Sequence, residues 1–252
     1  MTNDHIAQAA QQLLNARAHS AQINALAPAC RPNTEADAYA IQDAVIAQIG
    51  PIGGWKVGAS SPDGEPNCAP LPASGIMKAP VRLSSSDFRL RGIEAEIAFQ
   101  LKSDLPARDK AYSLDEVLAA VGAVHPVIEL IESRYSDRTQ VDPYSALADS
   151  LSHGGLVVGE GRDTNFTINQ LTQHVELLFN DEQVFSAIGG NAAGDVLRLL
   201  PWLANHAGKR QGGLRAGQII TTGSCSGVLF AEPGATVNAR LKGLGWVEVA
   251  FV

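Results

Sequence analysis

The feature that most constrains this chain is the segment 92–101, in which acidic and apolar residues alternate. Its sequence, GIEAEIAFQL, predicts a β-strand, because alternation with a period of two is typical of strands. Residues two apart on a strand point to the same face of a sheet, so Glu94 and Glu96 share a face. The fold must therefore accommodate two neighbouring carboxylates on one side of an otherwise apolar strand.

A third carboxylate, Glu129, lies in another apolar segment with β character, residues 124–131 (VHPVIELI). A lone carboxylate in such a segment is costly to bury. If the two strands pair, one cation bound by Glu94, Glu96 and Glu129 offsets both this cost and the repulsion between the carboxylates. An all-oxygen ligand set favours Mg²⁺ or Mn²⁺ over zinc or copper. The alternative is that Glu94 and Glu96 lie on the solvated face of an antiparallel sheet.

Charge and composition exclude several classes of partner. The chain has 252 residues, of which 45% are hydrophobic, and it carries 19 Lys and Arg against 26 Asp and Glu. Its net charge of −7 argues against binding to nucleic acid or to an anionic membrane. The chain shows no secretory signal and no apolar run of membrane-spanning length, so we predict a cytoplasmic protein with a small-molecule partner. The three cysteines lack metal-binding or C-x-x-C spacing, and free thiols are expected.

The pattern along the chain predicts an α+β fold. Residues 3–18 and 34–49 are predicted to form helices in an N-terminal helical segment, residues 1–50. From 51 to 252, short apolar runs alternate with Gly, Pro and Ser, which predicts a mixed, mostly antiparallel β body with peripheral helices. One of those helices is expected over residues 195–206. No linker divides the chain, so the two parts are expected to form effectively one domain.

Seven segments of the chain match, in order, the motifs of a known family. They are 38–42 (AYAIQ), 54–58 (GWKVG), 93–97 (IEAEI), 127–134 (VIELIESR), Ala148-Asp149 with Ser152, 214–224 (LRAGQIITTGS) and 243–247 (GLGWV). Together they resemble the 2-keto-4-pentenoate hydratases and 4-oxalocrotonate decarboxylases of the fumarylacetoacetate hydrolase superfamily. The resemblance extends from about residue 36 to the C-terminus. It implies a β-roll like the C-terminal domain of fumarylacetoacetate hydrolase, with 51–252 as the catalytic domain, in a homo-oligomer.

The resemblance also implies a reaction. Mg²⁺ or Mn²⁺ would be bound by Glu94, Glu96 and Glu129, and a 2-oxo acid would chelate it. Lys56 stands where the family has an active-site lysine, which would contact the substrate and stabilise the charge of a dienolate. We expect hydration of a 2-hydroxy-2,4-dienoate, as in the catabolism of aromatic compounds, with decarboxylation of a 2-oxo diacid as the alternative. An acylpyruvate hydrolase, whose branch typically presents Asp at the position of Glu129, and a catalytically silent homologue are less favoured.

The chain also departs from the motifs of this family. Ala73 stands where the family usually carries an acid. Asp149 and Ser152 are kept as candidates for substrate binding, whereas His153 replaces a small hydroxyl residue. We expect Ser152 and His153 to be catalytic, because an imidazole with an unperturbed pKa of about 6.5 suits proton transfer; a structural histidine is the alternative. Ser224, at the end of the Thr-Gly-Ser segment, is expected near the substrate, with an ordinary turn serine as the alternative.

Overall fold

The computed structural model describes residues 1–19, 21–163 and 169–252. Its α-helices are α1 (Asn3–His19), α2 (Glu35–Ile49), α3 (Leu114–Ala120), α4 (Pro143–Ala148) and α5 (Leu199–Gln211). Its strands are β1 (Ile52–Gly58), β2 (Asn67–Pro72), β3 (Ile76–Lys78), β4 (Val81–Leu83), β5 (Gly92–Leu101), β6 (Leu105–Pro106), β7 (Val121–Ile131), β8 (His153–Val158), β9 (Arg162–Asp163), β10 (His174–Phe179), β11 (Glu182–Ile188), β12 (Gly213–Leu214), β13 (Ile219–Ser224), β14 (Leu229–Phe230), β15 (Thr236–Leu241) and β16 (Gly245–Phe251).

The strands form two large sheets and one small one. The largest has the order β2-β1-β13-β5-β7-β8-β3, with β14 paired to β5 and β9 paired to β7. The second has the order β11-β10-β15-β16-β4, and β12 pairs with β6. The pairs β1–β13, β3–β8 and β4–β16 are parallel, while the other pairs in the described residues are antiparallel. The predicted α+β fold with mixed, mostly antiparallel sheets is confirmed.

The N-terminal helices agree with the predicted bounds of 3–18 and 34–49 to within one residue. The Thr34 hydroxyl accepts a hydrogen bond from the Asp37 amide, and the Asp37 carboxylate accepts one from the Thr34 amide, which completes a capping box. Helix α2 ends at Gly50, whose φ of 128° favours glycine. It packs against α1, α4 and β2, so α2 covers the β2 edge of the large sheet.

Helix α5 differs from its predicted bounds of 195–206. The Asp195 carboxylate accepts from the Leu197 amide at 3.0 Å and starts a 3₁₀ turn, so the α-helix itself begins at Leu199. It then continues past residue 206, because Ala207 extends the buried stripe. Gly212, in the left-handed conformation with φ 72°, ends it.

Two further features bear on the expectations from sequence. No helix in the described part of the chain is both long enough and apolar enough to cross a membrane. Cys30, Cys68 and Cys225 are buried and unpaired, as expected for free thiols.

The centre of the large sheet determines where the functional residues lie. β5 pairs with β13 on one side and with β7 on the other, and all three strands are largely buried. β1 runs parallel to β13, with Lys56 opposite Thr221. Four adjacent strands, in the order β1, β13, β5 and β7, therefore present side chains to one region.

The absence of a side chain at Gly54 permits the close approach of β1 to β13, so a larger residue at this position should lower the stability of the fold. A methyl group on Gly54 would collide with the carbonyl oxygen of Ile219 and would lie 3.0 Å from Ile76 Cδ1. Gly54→Ala should therefore lower the free energy of unfolding by about 1–3 kcal/mol, the usual cost of overpacking. Urea denaturation measures this difference. Gly58→Ala is the matched control, because no atom of the described residues outside its immediate chain neighbours lies within 4 Å of a methyl group at that position of the same strand. Equal destabilisation by both substitutions would contradict the prediction.

Candidate active site

Three carboxylates meet at the centre of the large sheet. In the antiparallel pairing of β5 with β7, Glu94 lies directly opposite Glu129, and Glu96 follows on the same face of β5. Each of the three residues contributes one carboxylate oxygen, and these three oxygens all lie within 4.8 Å of one another. Glu96 and Glu129 are buried and Glu94 is half-buried. The pairing of the two acidic segments predicted from the sequence is therefore present.

Two basic side chains contact Glu129. Lys56 Nζ donates to Glu129 Oε1 at 2.7 Å and also lies 3.4 Å from the carbonyl oxygen of Leu151. On another side, His153 Nδ1 lies 2.8 Å from the same Oε1. The second oxygen of this carboxylate, Oε2, is buried and has no hydrogen-bond partner among the described residues. One oxygen of Glu129 is thus held by the protein while the other is left free for a ligand.

Glu96 is oriented by strand β13. The Thr221 hydroxyl donates to Glu96 Oε2, and the amide of Gly223 donates to the same oxygen at 2.9 Å. Gly223 has a φ of 91°, a conformation that favours glycine and turns its amide toward the carboxylate. The Ser224 residue that follows is paired with Glu96 across the strands, and its hydroxyl donates to the Gly227 carbonyl at 3.2 Å.

The negative charge of the three carboxylates is only partly compensated by neighbouring positive groups. Burial, then repulsion from Glu129, raises the pKa of Glu94 to about 7, and the same causes raise the pKa of Glu96 well above its usual range. Burial acts in the same direction on Glu129, but Lys56 and His153 outweigh it and lower the pKa of this carboxyl. In return, Glu129 outweighs the effect of burial on Lys56 and raises the pKa of its ammonium.

These observations test whether a divalent cation fits. The converging groups are all carboxylates. Among the described residues, the buried Oε2 of Glu129 has no hydrogen-bond partner. Burial and mutual repulsion raise the pKa of Glu94 and Glu96, so these two carboxyls do not ionise readily. A hard cation such as Mg²⁺ or Mn²⁺ would satisfy each of these conditions. The residues fit such an ion.

The three carboxylates line a cavity of about 220 Å³. Its charged and polar lining also includes Lys56, Arg138, Asn67 and Ser224. The rest of the lining is Val57, Gly58, Ile131, Leu151, Gly223 and Val228. A wider depression of about 830 Å³ lies over β10, β15 and β16, but the acidic cluster does not lie in it. In the part of the chain that the structure describes, the smaller cavity combines the three carboxylates with an ammonium group.

The structure does not bring every predicted residue to this cavity. The Asp149 carboxylate is buried against Arg134, bonding to its Nε and, at 3.2 Å, to its amide. Ser152 and the His153 ring are also buried, and neither lines the cavity. Asp149, Ser152 and His153 therefore lie outside the described lining of this cavity, and their predicted roles toward substrate stay predictions. Ala73 is exposed in a 3₁₀ turn and lines a different depression.

An unusual turn before β8 is the reason that Asp149, Ser152 and His153 do not line the cavity. Ser150, Leu151 and Ser152 have positive φ values of 52°, 54° and 64°, which are sparsely populated for residues other than glycine. Arg134 holds this turn by donating to the carbonyl oxygens of Asp149 at 2.8 Å and His153 at 2.7 Å. The turn directs Leu151, which sequence reasoning missed, to the cavity.

Arg138, Asn67 and Leu151 are functional candidates that the sequence did not indicate. Arg138 follows the matched segment 127–134 by four positions, and this proximity was the available signal. Asn67 opens β2, which is antiparallel to β1, and it lies opposite Gly58. Its place beside the cavity depends on that long-range pairing, for which no local sequence pattern exists.

Comparison with known proteins supplies the family. The model of the fumarylacetoacetate (FAA) hydrolase C-terminal family matches residues 41–252. A 2-keto-4-pentenoate hydratase from Paraburkholderia phymatum is 28% identical over 100% of this chain and 99% of that protein. A 2-hydroxyhexa-2,4-dienoate hydratase from Comamonas testosteroni is 28% identical over 63% of this chain, and the match spans 59% of the relative's length.

A solved structure adds a comparison over the whole chain. The 4-oxalocrotonate decarboxylase from Pseudomonas putida G7, complexed with magnesium and adipate, superposes with a TM-score of 0.87 and 27% identity. The superposition covers 100% of this chain and 99% of the decarboxylase. Because the family model covers most of the sequence and the fold agrees throughout, this chain belongs to the fumarylacetoacetate hydrolase C-terminal family.

Proposed function

We propose that this chain is a metal-dependent hydratase that adds water to a 2-hydroxy-2,4-dienoate and forms a 4-hydroxy-2-oxo acid. The observation that carries the proposal is the convergence of three carboxylates and one ammonium group in a small cavity. Two relatives named as hydratases of such acids support it. Decarboxylation of a 2-oxo diacid is the second candidate, favoured by the decarboxylase whose complex contains the dicarboxylate adipate.

Glu94, Glu96 and Glu129 would hold Mg²⁺ or Mn²⁺ in this proposal. A bound divalent cation supplies Lewis acidity, which draws electron density from the 2-oxygen of a chelating 2-oxo acid. The magnesium in the decarboxylase complex supports this choice of ion. Thr221 and Gly223 keep the Glu96 carboxylate oriented, and His153 does the same for Glu129.

Lys56 carries the main electrostatic role in the proposed mechanism. Its ion pair with Glu129 keeps the ammonium charged, so it can donate a hydrogen bond to the 2-oxygen of the substrate. Negative charge grows on that oxygen as the dienolate forms, and a positioned positive donor stabilises it. Burial lowers the pKa of His153, which favours the neutral imidazole, and the ring holds Glu129 through Nδ1.

We propose that protons reach the substrate carbon by a route other than His153. The ring is 1% exposed and lies behind Glu129, away from the cavity lining. We assign these transfers to water in the cavity, oriented by the Asn67 amide and the Ser224 hydroxyl, which both line it. From the family resemblance we further propose a homo-oligomer that acts on a small 2-oxo acid in the cytoplasm.

The first prediction concerns the cation site. Glu96→Gln keeps the shape of the side chain and removes a charged ligand. Losing a residue that only hydrogen-bonds to a metal ligand typically lowers metal affinity about 10- to 100-fold, so losing a ligand itself should lower the affinity for Mn²⁺ by about 100-fold or more. Isothermal titration with Mn²⁺ measures this affinity. Glu182→Gln, at an exposed position on β11, is the matched control and should bind Mn²⁺ as the unmodified chain does. Unchanged affinity in Glu96→Gln would remove Glu96 from the ligand set.

The second prediction concerns Lys56. Lys56→Met should lower kcat by about 10²–10³ at saturating Mn²⁺, the usual effect of losing one positioned electrostatic donor. Titration should show that the variant still binds Mn²⁺, because the three carboxylates remain. Lys110→Met, at an exposed site, should leave kcat unchanged. If Lys56→Met turned over substrate at the rate of the control, Lys56 would have no part in the reaction.

Product analysis tests the reaction itself. The purified chain with Mg²⁺ is incubated with 2-hydroxypenta-2,4-dienoate and, separately, with 4-oxalocrotonate. We expect loss of dienoate absorbance together with formation of a 4-hydroxy-2-oxo acid. Release of carbon dioxide in step with substrate loss, without a hydroxylated product, would replace the hydratase proposal with the decarboxylase. Absence of metal-dependent turnover of both acids would favour a silent homologue.

A further inference from the structure

Asn191 lies in the loop between β11 and the 3₁₀ turn that precedes α5, and the described lining of the cavity does not include it. Its side-chain Nδ2 donates to the carbonyl oxygens of Thr222 at 3.0 Å and Gly223 at 2.8 Å. Its Oδ1 accepts from the Ala193 amide at 2.9 Å. A reversed side-chain amide would place its oxygen against two carbonyls and its NH₂ against an N–H, so these partners fix its orientation. Asn191 thus joins its own loop to the end of β13.

Both carbonyl oxygens that Asn191 contacts belong to a β-bulge in β13. Thr221 lies opposite Ala98 of β5. The next described partners are Ser224 and Glu96, so three steps along β13 match two steps along β5. An extra residue of this kind interrupts the ladder of hydrogen bonds. Asn191 therefore supplies donors to the part of β13 in which the regular pairing is interrupted.

One peptide unit connects Asn191 to the acidic cluster. The N–H of Gly223 donates to Glu96 Oε2 at 2.9 Å, and the Thr222 carbonyl of the same peptide unit accepts from Asn191. Because a trans peptide unit is planar, its N–H and C=O point in opposite directions, and a partner on the carbonyl also fixes the direction of the N–H. The Asn191 side chain and the Glu96 carboxylate therefore hold the same rigid group from its two sides.

Gly223 is a residue that needs such a partner. Its φ of 91° is accessible to glycine, but glycine also adopts many other conformations at little cost. A methyl group built on Gly223 would lie 3.5 Å from Asn191 Nδ2, so Asn191 lies directly against this glycine. Rotation of the peptide would withdraw its N–H from the buried Glu96 carboxylate, which would then keep the Thr221 hydroxyl as its described donor.

The loop that carries Asn191 is itself held in place. The Gly194 amide donates to the Asn191 carbonyl oxygen at 3.0 Å, which closes a tight turn, and Ala193 within that turn is fully buried. Gly190, with a φ of 101°, approaches the end of β13 so closely that a methyl group on it would lie 2.5 Å from the Cys225 carbonyl oxygen. The position of the Asn191 side chain is therefore set by the packing of its loop.

We propose that Asn191 is a positioning residue for the cation site, and that it fixes the Glu96 carboxylate through the Thr222–Gly223 peptide. The inference rests on the proposed function, because it takes Glu96 to be a ligand of the cation. Residues that hydrogen-bond to a metal ligand typically contribute about 10- to 100-fold to metal affinity. Asn191 acts through one intervening peptide, so we expect a contribution at the lower end of this range, about 10-fold.

Isothermal titration with Mn²⁺ tests the inference, with Asn205 as the matched position. The Asn205 side chain, in α5, also donates to two carbonyl oxygens, those of Tyr112 at 3.3 Å and Pro201 at 2.8 Å, and accepts from the Tyr112 amide at 2.8 Å. None of these residues belongs to the described lining of the cavity. Asn191→Ala should bind Mn²⁺ about 10-fold more weakly than the unmodified chain. Asn205→Ala should change this affinity by less than about 2-fold.

Two further measurements separate positioning from a general loss of structure. Asn191→Asp keeps the shape of the side chain and an oxygen for the Ala193 amide but loses both N–H donors. Its added negative charge would by itself favour a cation, yet it should bind Mn²⁺ more weakly than the unmodified chain. In the metal-free chain, NMR should show that the Gly223 amide exchanges with deuterium about 10-fold faster in Asn191→Ala, because its peptide is no longer held. Asn205→Ala should leave that exchange rate unchanged.

The possible failures are distinguishable. Equal Mn²⁺ affinity of Asn191→Ala and Asn205→Ala, or an unaltered exchange rate of the Gly223 amide, would overturn the role of Asn191 and leave the cation site intact. If Asn191→Ala does not fold, Asn191→Asp decides the question by the same two measurements, and unchanged affinity in that variant overturns the inference. Failure of the unmodified chain to bind Mn²⁺ would instead overturn the proposed function, and the inference with it.

Discussion

The antiparallel pairing of β5 with β7 is the interaction on which the rest of this site depends. It sets Glu94 opposite Glu129 and leaves Glu96 on the same face, within a sheet whose central strands are buried. Carboxylates so placed repel one another and have lost most of their hydration, which makes the folded state costly unless positive charge is supplied. The surrounding structure supplies part of that charge through Lys56, and the acidic cluster could hold a cation that supplies the remainder.

The protein divides the three carboxylates into two kinds. Glu129 is compensated from within, because Lys56 and His153 share one of its oxygens. Glu94 and Glu96 receive less compensation, so burial and repulsion from Glu129 raise the pKa values of both. A site built in this way binds a cation strongly only once those carboxyls lose their protons, so metal binding and proton release are coupled.

A second layer of buried polar groups supports the residues of the cavity. Arg134 and Asp149 form a buried ion pair that holds the turn before β8, where three consecutive residues have positive φ. Strain of this type costs on the order of 1–3 kcal/mol per residue and persists only where the surroundings impose it. Here the imposed turn places the Leu151 carbonyl beside Lys56 and the His153 ring behind Glu129.

The sequence by itself determined the fold class, the bounds of the two N-terminal helices to within a residue, and the acidic cluster. These follow from local patterns, namely period-two alternation around Glu94 and Glu96, capping residues such as Thr34, and an ordered set of family motifs. The tertiary structure decided which side chains face the cavity. Asp149 and His153 belong to matched or nearby motifs yet lie behind the site, whereas Arg138 joins it. Whether a loop residue faces a cavity depends on φ values and on pairing between strands distant in the sequence, and neither leaves a local pattern.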